Sequence, residues 1–202
     1  MPRVDTTFEA RVRSLLSINK TYFFIALCLL TFLLIFIKKQ FVFEEIAAIQ
    51  FMDPAQKLVF DIFLGIELLG VPITLAIQFT VVAFVIWTGS FLWGYRVTYY
   101  ECWKIAMIAS VIFFIPQVLT VLWFFFFNTD PNYWAVKSFY PLSVMNFFSH
   151  DSVAEKYWFA YKALNIFQII YWFVLVKGVD MAARKRTSIA QAIVFTSYVP
   201  LF

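Results

Sequence analysis

The chain has 202 residues, enough for one or two domains, and its composition decides its class before any motif is considered. Hydrophobic residues make up 63% and charged residues 14%, with 27 Phe, 10 Tyr and 7 Trp raising the aromatic share to 22%. Soluble domains run at roughly half apolar and about a quarter charged. A fold of this length cannot hide so much apolar surface from water. That excludes a soluble enzyme, a disordered tail and a nucleic-acid-binding domain, and leaves the lipid bilayer as solvent and first partner.

The expected fold class is therefore all-α, a polytopic transmembrane helical bundle. It divides into a cytoplasmic arm, 1–20, and a single transmembrane domain, 21–202. Residues 6–18 place Phe8, Val12, Leu15 and Leu16 at helical spacing, with Glu9, Arg11 and Arg13 mostly off that face. This is an amphipathic helix lying in the interface, or a solvated basic arm.

A spanning helix needs about 17–25 mostly apolar residues. Thr21–Ile37 meets this between Lys20 and the pair Lys38 and Lys39. No small-residue cleavage site follows it, so it is a signal anchor rather than a cleaved signal peptide. The loop 38–70 is too apolar for an ordinary loop. Asp53-Pro54 splits it into Phe41–Met52 and Leu58–Leu69, expected as two short helices lying on the membrane or packed on the bundle. The second span is Val71–Tyr95 and the third Ile105–Phe127.

A turn signal at 128–131 opens a second outer loop, 128–158. There Trp134, Phe139, Tyr140, Phe147 and Phe148 make an aromatic stretch that Pro141 prevents from spanning. These five residues are the candidate docking surface, against headgroups, the first outer loop or a partner subunit. Phe159–Val176 is the fourth span and contains Lys162. Ile189–Phe202 is too short for a full crossing and reads as a partial or truncated fifth. The prediction is four full spans, a partial fifth, and interfacial helices in the outer loops.

Orientation follows the positions of Lys and Arg rather than the small net charge of +4. Arg3, Arg11, Arg13, Lys20, Arg96, Lys104, Lys177, Arg184, Lys185 and Arg186 fall on one side. Lys38, Lys39, Lys57, Lys137 and Lys156, half as many, fall on the other. The N-terminus is accordingly expected in the cytoplasm and the protein in the cell inner membrane, with both long loops outside.

Little chemistry is visible. Ser149-His150-Asp151 are consecutive residues and cannot ordinarily converge as a triad. They read as a polar turn before the fourth span. His150 is the only histidine, which leaves no pair of haem ligands within the chain. Cys28 lies mid-span and Cys102 at the interface opposite His150, so the three do not form a metal site. No phosphate-binding loop, dinucleotide fingerprint or HExxH pattern is present. No catalytic residue, cofactor or metal is expected.

Lys162, Asn165 and Gln168 recur at intervals of three and form the candidate intramembrane polar stripe. A charge inside a span costs roughly 2.5–3.5 kcal/mol at the centre and is a functional candidate by default. Lys162 either snorkels to the interface, pairs with Glu67 or Asp61, or serves a transported ligand. Gln78, Thr80, Gln117 and Thr120 are natural cross-helix partners for such a stripe. Pro72, Pro116 and Pro200 each fall in a span, Pro72 either kinking its helix or occupying the first turn. Gly89, Ser90 and Gly94 offer a close-packing patch near the inner end of the second span.

The stretch Gly94–Lys104 (GYRVTYYECWK), followed by the helix carrying Ile115-Pro116, resembles the middle of bacterial members of the Yip family. The resemblance covers residues 70–202. It implies a small five-helix membrane protein with a cytoplasmic N-terminus, a fifth helix truncated here, and in eukaryotes a role in membrane organisation or trafficking. An ABC permease would carry a coupling loop on the cytoplasmic side with a fixed glycine. The nearest text, Glu44-Glu45-Ile46-Ala47-Ala48, falls on the outer side and lacks it. The functional expectation is a non-enzymatic structural or accessory subunit of a membrane complex, with other membrane proteins as partners. The alternative is a small transporter or permease component with a polar path near Lys162, Asn165 and Gln168.

Overall fold

The computed structural model describes residues 19–40, 53–127, 133–148, 152–183 and 187–199. Among them every regular element is helical, apart from one isolated antiparallel bridge. The expected arm at 6–18, the segment Phe41–Met52, the turn at 128–131, Ser149–Asp151 and the basic run 184–186 lie outside the described residues. Three helical stretches are long and apolar enough to cross a membrane: Lys20–Lys38, Pro54–Leu92 and Tyr99–Phe126.

Helix α1, Lys20–Lys38, begins where the Asn19 side chain accepts from the Thr21 N–H at 3.0 Å. That bond satisfies one of the N–H groups a helix start leaves open. Helix α2, Pro54–Leu92, opens on proline, whose fixed φ and missing N–H suit the first helical position.

Here the structure corrects the sequence reading. Leu58–Leu69 and Val71–Tyr95 are not an interfacial helix and a separate span. Both belong to α2, and Pro72 sits deep inside it rather than in a first turn. At 39 residues this helix measures about 58 Å, nearly twice the ~30 Å hydrocarbon thickness. Lys57, Asp61 and Glu67 all fall in its first half, the end expected to stand beyond the lipid.

The end of α2 is built by Ser90, Phe91, Gly94 and Tyr95. Gly94 takes φ 72°, the left-handed region open to glycine. Its N–H donates to Phe91 O at 2.9 Å, and the Tyr95 N–H donates to Ser90 O at 2.8 Å. This is the paired arrangement that closes a helix C-terminus. Gly94 is therefore a helix stop and not a packing glycine.

Thr98 then starts helix α3, Tyr99–Ser110. Its hydroxyl accepts from the Glu101 N–H, while the Glu101 carboxylate accepts from the Thr98 N–H at 2.9 Å. The connector that carries the family resemblance is thus a stop and a start written back to back. Helix α4, Phe114–Phe126, follows a 3-10 turn over Val111–Phe113. Pro116 cannot donate to the Ile112 carbonyl, and the chain tightens where that bond is missing.

Helix α5, Tyr133–Ser138, leads to a turn at Pro141-Leu142. Leu142 has φ 54°, and the Ser143 N–H donates to Tyr140 O at 3.3 Å. A 3-10 turn covers Val144–Phe147.

The expected fourth span, Phe159–Val176, is also corrected. It is broken into α6, Glu155–Ala163, and α7, Ile166–Ala183. The break is held from outside the helix. The Val144 N–H donates to Leu164 O at 3.0 Å and the Ile166 N–H to Leu142 O at 3.3 Å, around the Ser143–Asn165 bridge. Helix α8, Thr187–Ser197, is the last element.

The chain divides into two compact units. One gathers Met1–Leu27, Ile73–Val111 and Ile170–Phe202; the other gathers Cys28–Pro72 and Ile112–Ile169. In the first, Phe79, Ile86, Cys102, Ile105, Met107, Tyr171, Leu175, Val179 and Ile193 are fully buried. Two glycines allow its helices to approach closely. A Cβ on Gly178 of α7 would stand 2.4 Å from Ile105 Cγ2, and one on Gly89 of α2 would stand 2.6 Å from Ser197 Oγ. Phe24, Phe79 and Trp103 pack with ring centroids 5.7–6.2 Å apart. The second unit buries Leu34, Val71, Phe124, Val136, Met145, Trp158 and Phe167.

Candidate functional site

Three features of the second unit bear on function: the residues of the polar stripe, a cavity, and an aromatic surface. The stripe is not continuous, because the chain breaks between Lys162 and Gln168. Lys162 stands in the last turn of α6 and its Nζ donates to Lys137 O at 2.9 Å, tying α6 to α5. Lys137 in turn pairs with Glu155. The acceptor is thus a backbone carbonyl and not the Glu67 or Asp61 carboxylate, and Asp61 pairs with Lys39 at 2.8 Å.

Asn165 is buried at the break. Its Nδ2 donates to Lys162 O and Ala163 O at 2.8 and 3.0 Å, and its Oδ1 accepts from the Gln168 N–H at 2.8 Å. It closes α6 and caps α7, which is the work asparagine does at helix starts. Gln168 is buried in the first turn of α7, and its Nε2 has no hydrogen-bond partner among the described residues. The stripe therefore supplies two structural groups and one buried amide.

Partial burial, reinforced by the charge of Lys137, holds the Lys162 ammonium below the usual lysine value of 10.5. A lowered folded-state value means that folding opposes the charged form. That opposition is fully present below the folded value and is relieved as pH rises through it towards 10.5. Lys162→Met is expected to leave stability at neutral pH within about 1 kcal/mol of the parent. It loses one hydrogen bond and sheds the desolvation of a cation. It is also expected to abolish the rise in stability on the alkaline side. Thermal unfolding in detergent at neutral and alkaline pH measures both effects.

The cavity encloses about 740 Å³ and is lined from α1, α2, α4 and the chain after α5. Thr31, Lys38, Glu67, Gln117, Thr120 and Tyr140 supply its polar atoms, and Leu34, Phe60, Phe63 and Phe139 much of its apolar wall. Its volume lies in the range of small-molecule sites, roughly 300–1,000 Å³. The Thr120 hydroxyl donates to Pro116 O at 2.8 Å, the carbonyl one turn back in its own helix. Burial pushes the Tyr140 phenol up to about 12, so it stays protonated as a donor at neutral pH. The sequence reading named Gln117 and Thr120 only as packing groups. Their convergence with Lys38 and Glu67 depends on which helices are neighbours, and spacing along one chain segment does not reveal that.

The five aromatic residues separate into two groups. Phe139 and Tyr140 are half-buried, with Phe139 stacked on Trp123 at 5.7 Å and edge-on to Phe124 at 5.3 Å. Phe147 is 86% exposed, and Trp134 and Phe148 are also exposed. Trp134 packs edge-on to Trp158, and Phe148 lies 5.4 Å from Tyr161. Beside them Leu122, Trp123, Phe126, Leu142 and Met145 line an apolar groove of about 910 Å³.

Compared with protein-family models, curated proteins and solved structures, the chain matches none.

Proposed function

We propose that the chain is a non-enzymatic polytopic inner-membrane protein that serves as a structural or accessory subunit of a membrane complex. The observation that supports this most is the aromatic surface formed by α5 and the chain after it. Phe147, Phe148, Trp134 and Leu142 are exposed, and they lie outside the three helical stretches able to cross a membrane. Apolar surface beyond the lipid calls for a protein or headgroup cover.

In this proposal α1, the second half of α2, α3–α4 and α7 are the four crossings, α8 is the partial fifth, and the N-terminus is cytoplasmic. This arrangement is the five-helix layout that the Yip resemblance implies. Arg96, exposed in the connector before α3, and Lys156, exposed in α6, then face opposite sides. Single cysteines at these two positions, in a chain whose buried Cys28 and Cys102 are replaced by Ser, should react with an impermeant maleimide from opposite sides. Reaction of both from one side contradicts the topology. Purification in mild detergent tests the subunit assignment: a stoichiometric second polypeptide supports it, and a lone oligomer opposes it.

The cavity favours a second reading, a small transporter or permease component. Its lining carries Lys38 and Glu67 within a span-bearing unit, and charged side chains within such segments mark candidate solute pathways. A cysteine at Gln117 distinguishes the two readings. Rapid modification by a water-soluble thiol reagent from both sides in turn marks a path; accessibility from one side only marks a closed pocket.

A further inference from the structure

The charges lining the cavity of the second unit already answer one another. They are one cation, Lys38, and one carboxylate, Glu67, and the two attract. Lys38 also feels the like charge of Lys162, which stands outside the lining, and it has further contacts of its own. The lining therefore calls for no counter-ion. What it leaves open is hydrogen bonding. The Tyr140 phenol and the Gln117 amide belong to residues that line the cavity, and neither side chain makes a hydrogen bond among the described residues. The phenol stays protonated at neutral pH and is a donor.

Both groups are carried on firm backbone. The Tyr140 carbonyl accepts from the Ser143 N–H at 3.3 Å and from the Ser143 hydroxyl at 2.8 Å, which fixes the turn that bears the phenol. Gln117 follows Pro116 in α4, inside the spanning stretch Tyr99–Phe126, where an amide without a partner is costly. Phe60, Phe63 and Phe139 add aromatic wall. Phe139 is held in place by stacking on Trp123 at 5.7 Å and by edge contact with Phe124 at 5.3 Å. Such rings favour another flat ring, offset or edge-on. A donor phenol and an amide ask for an acceptor. A purely hydrocarbon ligand leaves both unmet, and an ion of either sign meets a like charge, Lys38 or Glu67.

We propose that this cavity binds an uncharged, lipid-soluble aromatic carbonyl compound, of which a quinone is the simplest. Its carbonyl oxygens accept from the Tyr140 hydroxyl and the Gln117 amide, and its ring lies among Phe60, Phe63 and Phe139. The volume of about 740 Å³ leaves room beyond one ring for an apolar tail against Leu34 and Leu64. The site goes beyond both functional readings, since it stands whether the cavity is a path or a closed pocket.

Equilibrium dialysis of the purified full chain in nanodiscs, with empty nanodiscs as the lipid background, tests this with probes of similar size. Duroquinone carries carbonyls on a fully methylated ring, so it does not add to thiols. Durene is the same ring without the carbonyls, and trimethylbenzoate is an anion. Duroquinone is expected to be retained above background, about ten-fold more tightly than durene, and trimethylbenzoate not at all. Tyr140→Phe should weaken duroquinone about five-fold, as loss of one hydrogen bond does, and leave durene unchanged. Gln117→Leu, at an exposed position, should act in the same way, which keeps the test intact if Tyr140→Phe does not fold. Tyr157→Phe removes an exposed phenol of α6 outside the cavity and should change nothing. Equal retention of duroquinone and durene, or unchanged duroquinone binding in both variants, overturns the proposal. So does tighter binding of trimethylbenzoate, which would assign an anion site at Lys38 instead.

Discussion

Gly178→Leu is expected to prevent stable folding, and Gly178→Ala to cost up to about 3 kcal/mol, the upper end for overpacking a core. The reason is the 2.4 Å approach between the position of a Cβ there and Ile105 Cγ2. Ile105 is β-branched, which leaves it one strongly preferred helical rotamer. It is 2% exposed, so its methyl has nowhere to go. Alanine regains up to about 1 kcal/mol of helix propensity over glycine, which offsets only part of the clash. Ile105→Ala alone should cost about 2–5 kcal/mol through the cavity it leaves. Combined with Gly178→Ala it should cost less than the two changes added, because each removes the other's problem. Gly65→Ala is the control: nothing stands within 4 Å of its Cβ, so it should be neutral or slightly stabilising. Denaturation of the purified chain in mixed detergent micelles measures all five.

Phe147→Glu is expected to separate folding from assembly. Phe147 is 86% exposed, so replacing it should leave the unfolding midpoint within the error of the parent. If the aromatic surface docks a partner subunit, a carboxylate at its centre should weaken that association by about thirty-fold or more, as loss of an aromatic anchor of about 2 kcal/mol does. Tyr161→Ala, which removes the ring beside Phe148, should act in the same direction and more weakly. Quantitative co-purification of the variants in mild detergent reads the effect. Loss of the folded chain in Phe147→Glu would show that the ring supports the fold instead.

Composition and charge-free windows were enough to read the membrane class, α1, and the stretch from α3 to α4. Local signals were also present for the connector, since glycine, threonine and glutamate at Gly94, Thr98 and Glu101 each have a capping use. Spacing presents Gly94 as a packing residue, because it does not reveal a positive φ. The two larger differences come from non-local causes. Gly70-Val71-Pro72 looks like a boundary, yet α2 runs through it, since one missing N–H does not outweigh the bonds on either side. Phe159–Val176 looks unbroken, yet residues 142–144 supply backbone partners at 164–166 and open the helix there. No window of sequence around Asn165 contains those partners. The same limit hid the cavity of the second unit, whose walls come from four separate stretches of chain.

The most direct measurement is photo-crosslinking in cells from a photoreactive phenylalanine analogue at position 147. An accessory subunit that docks through its aromatic surface predicts one discrete adduct with a second membrane polypeptide, formed in high yield and absent when the analogue is moved to the buried position Phe79. Adducts with lipid alone, or with a second copy of this chain alone, would contradict it.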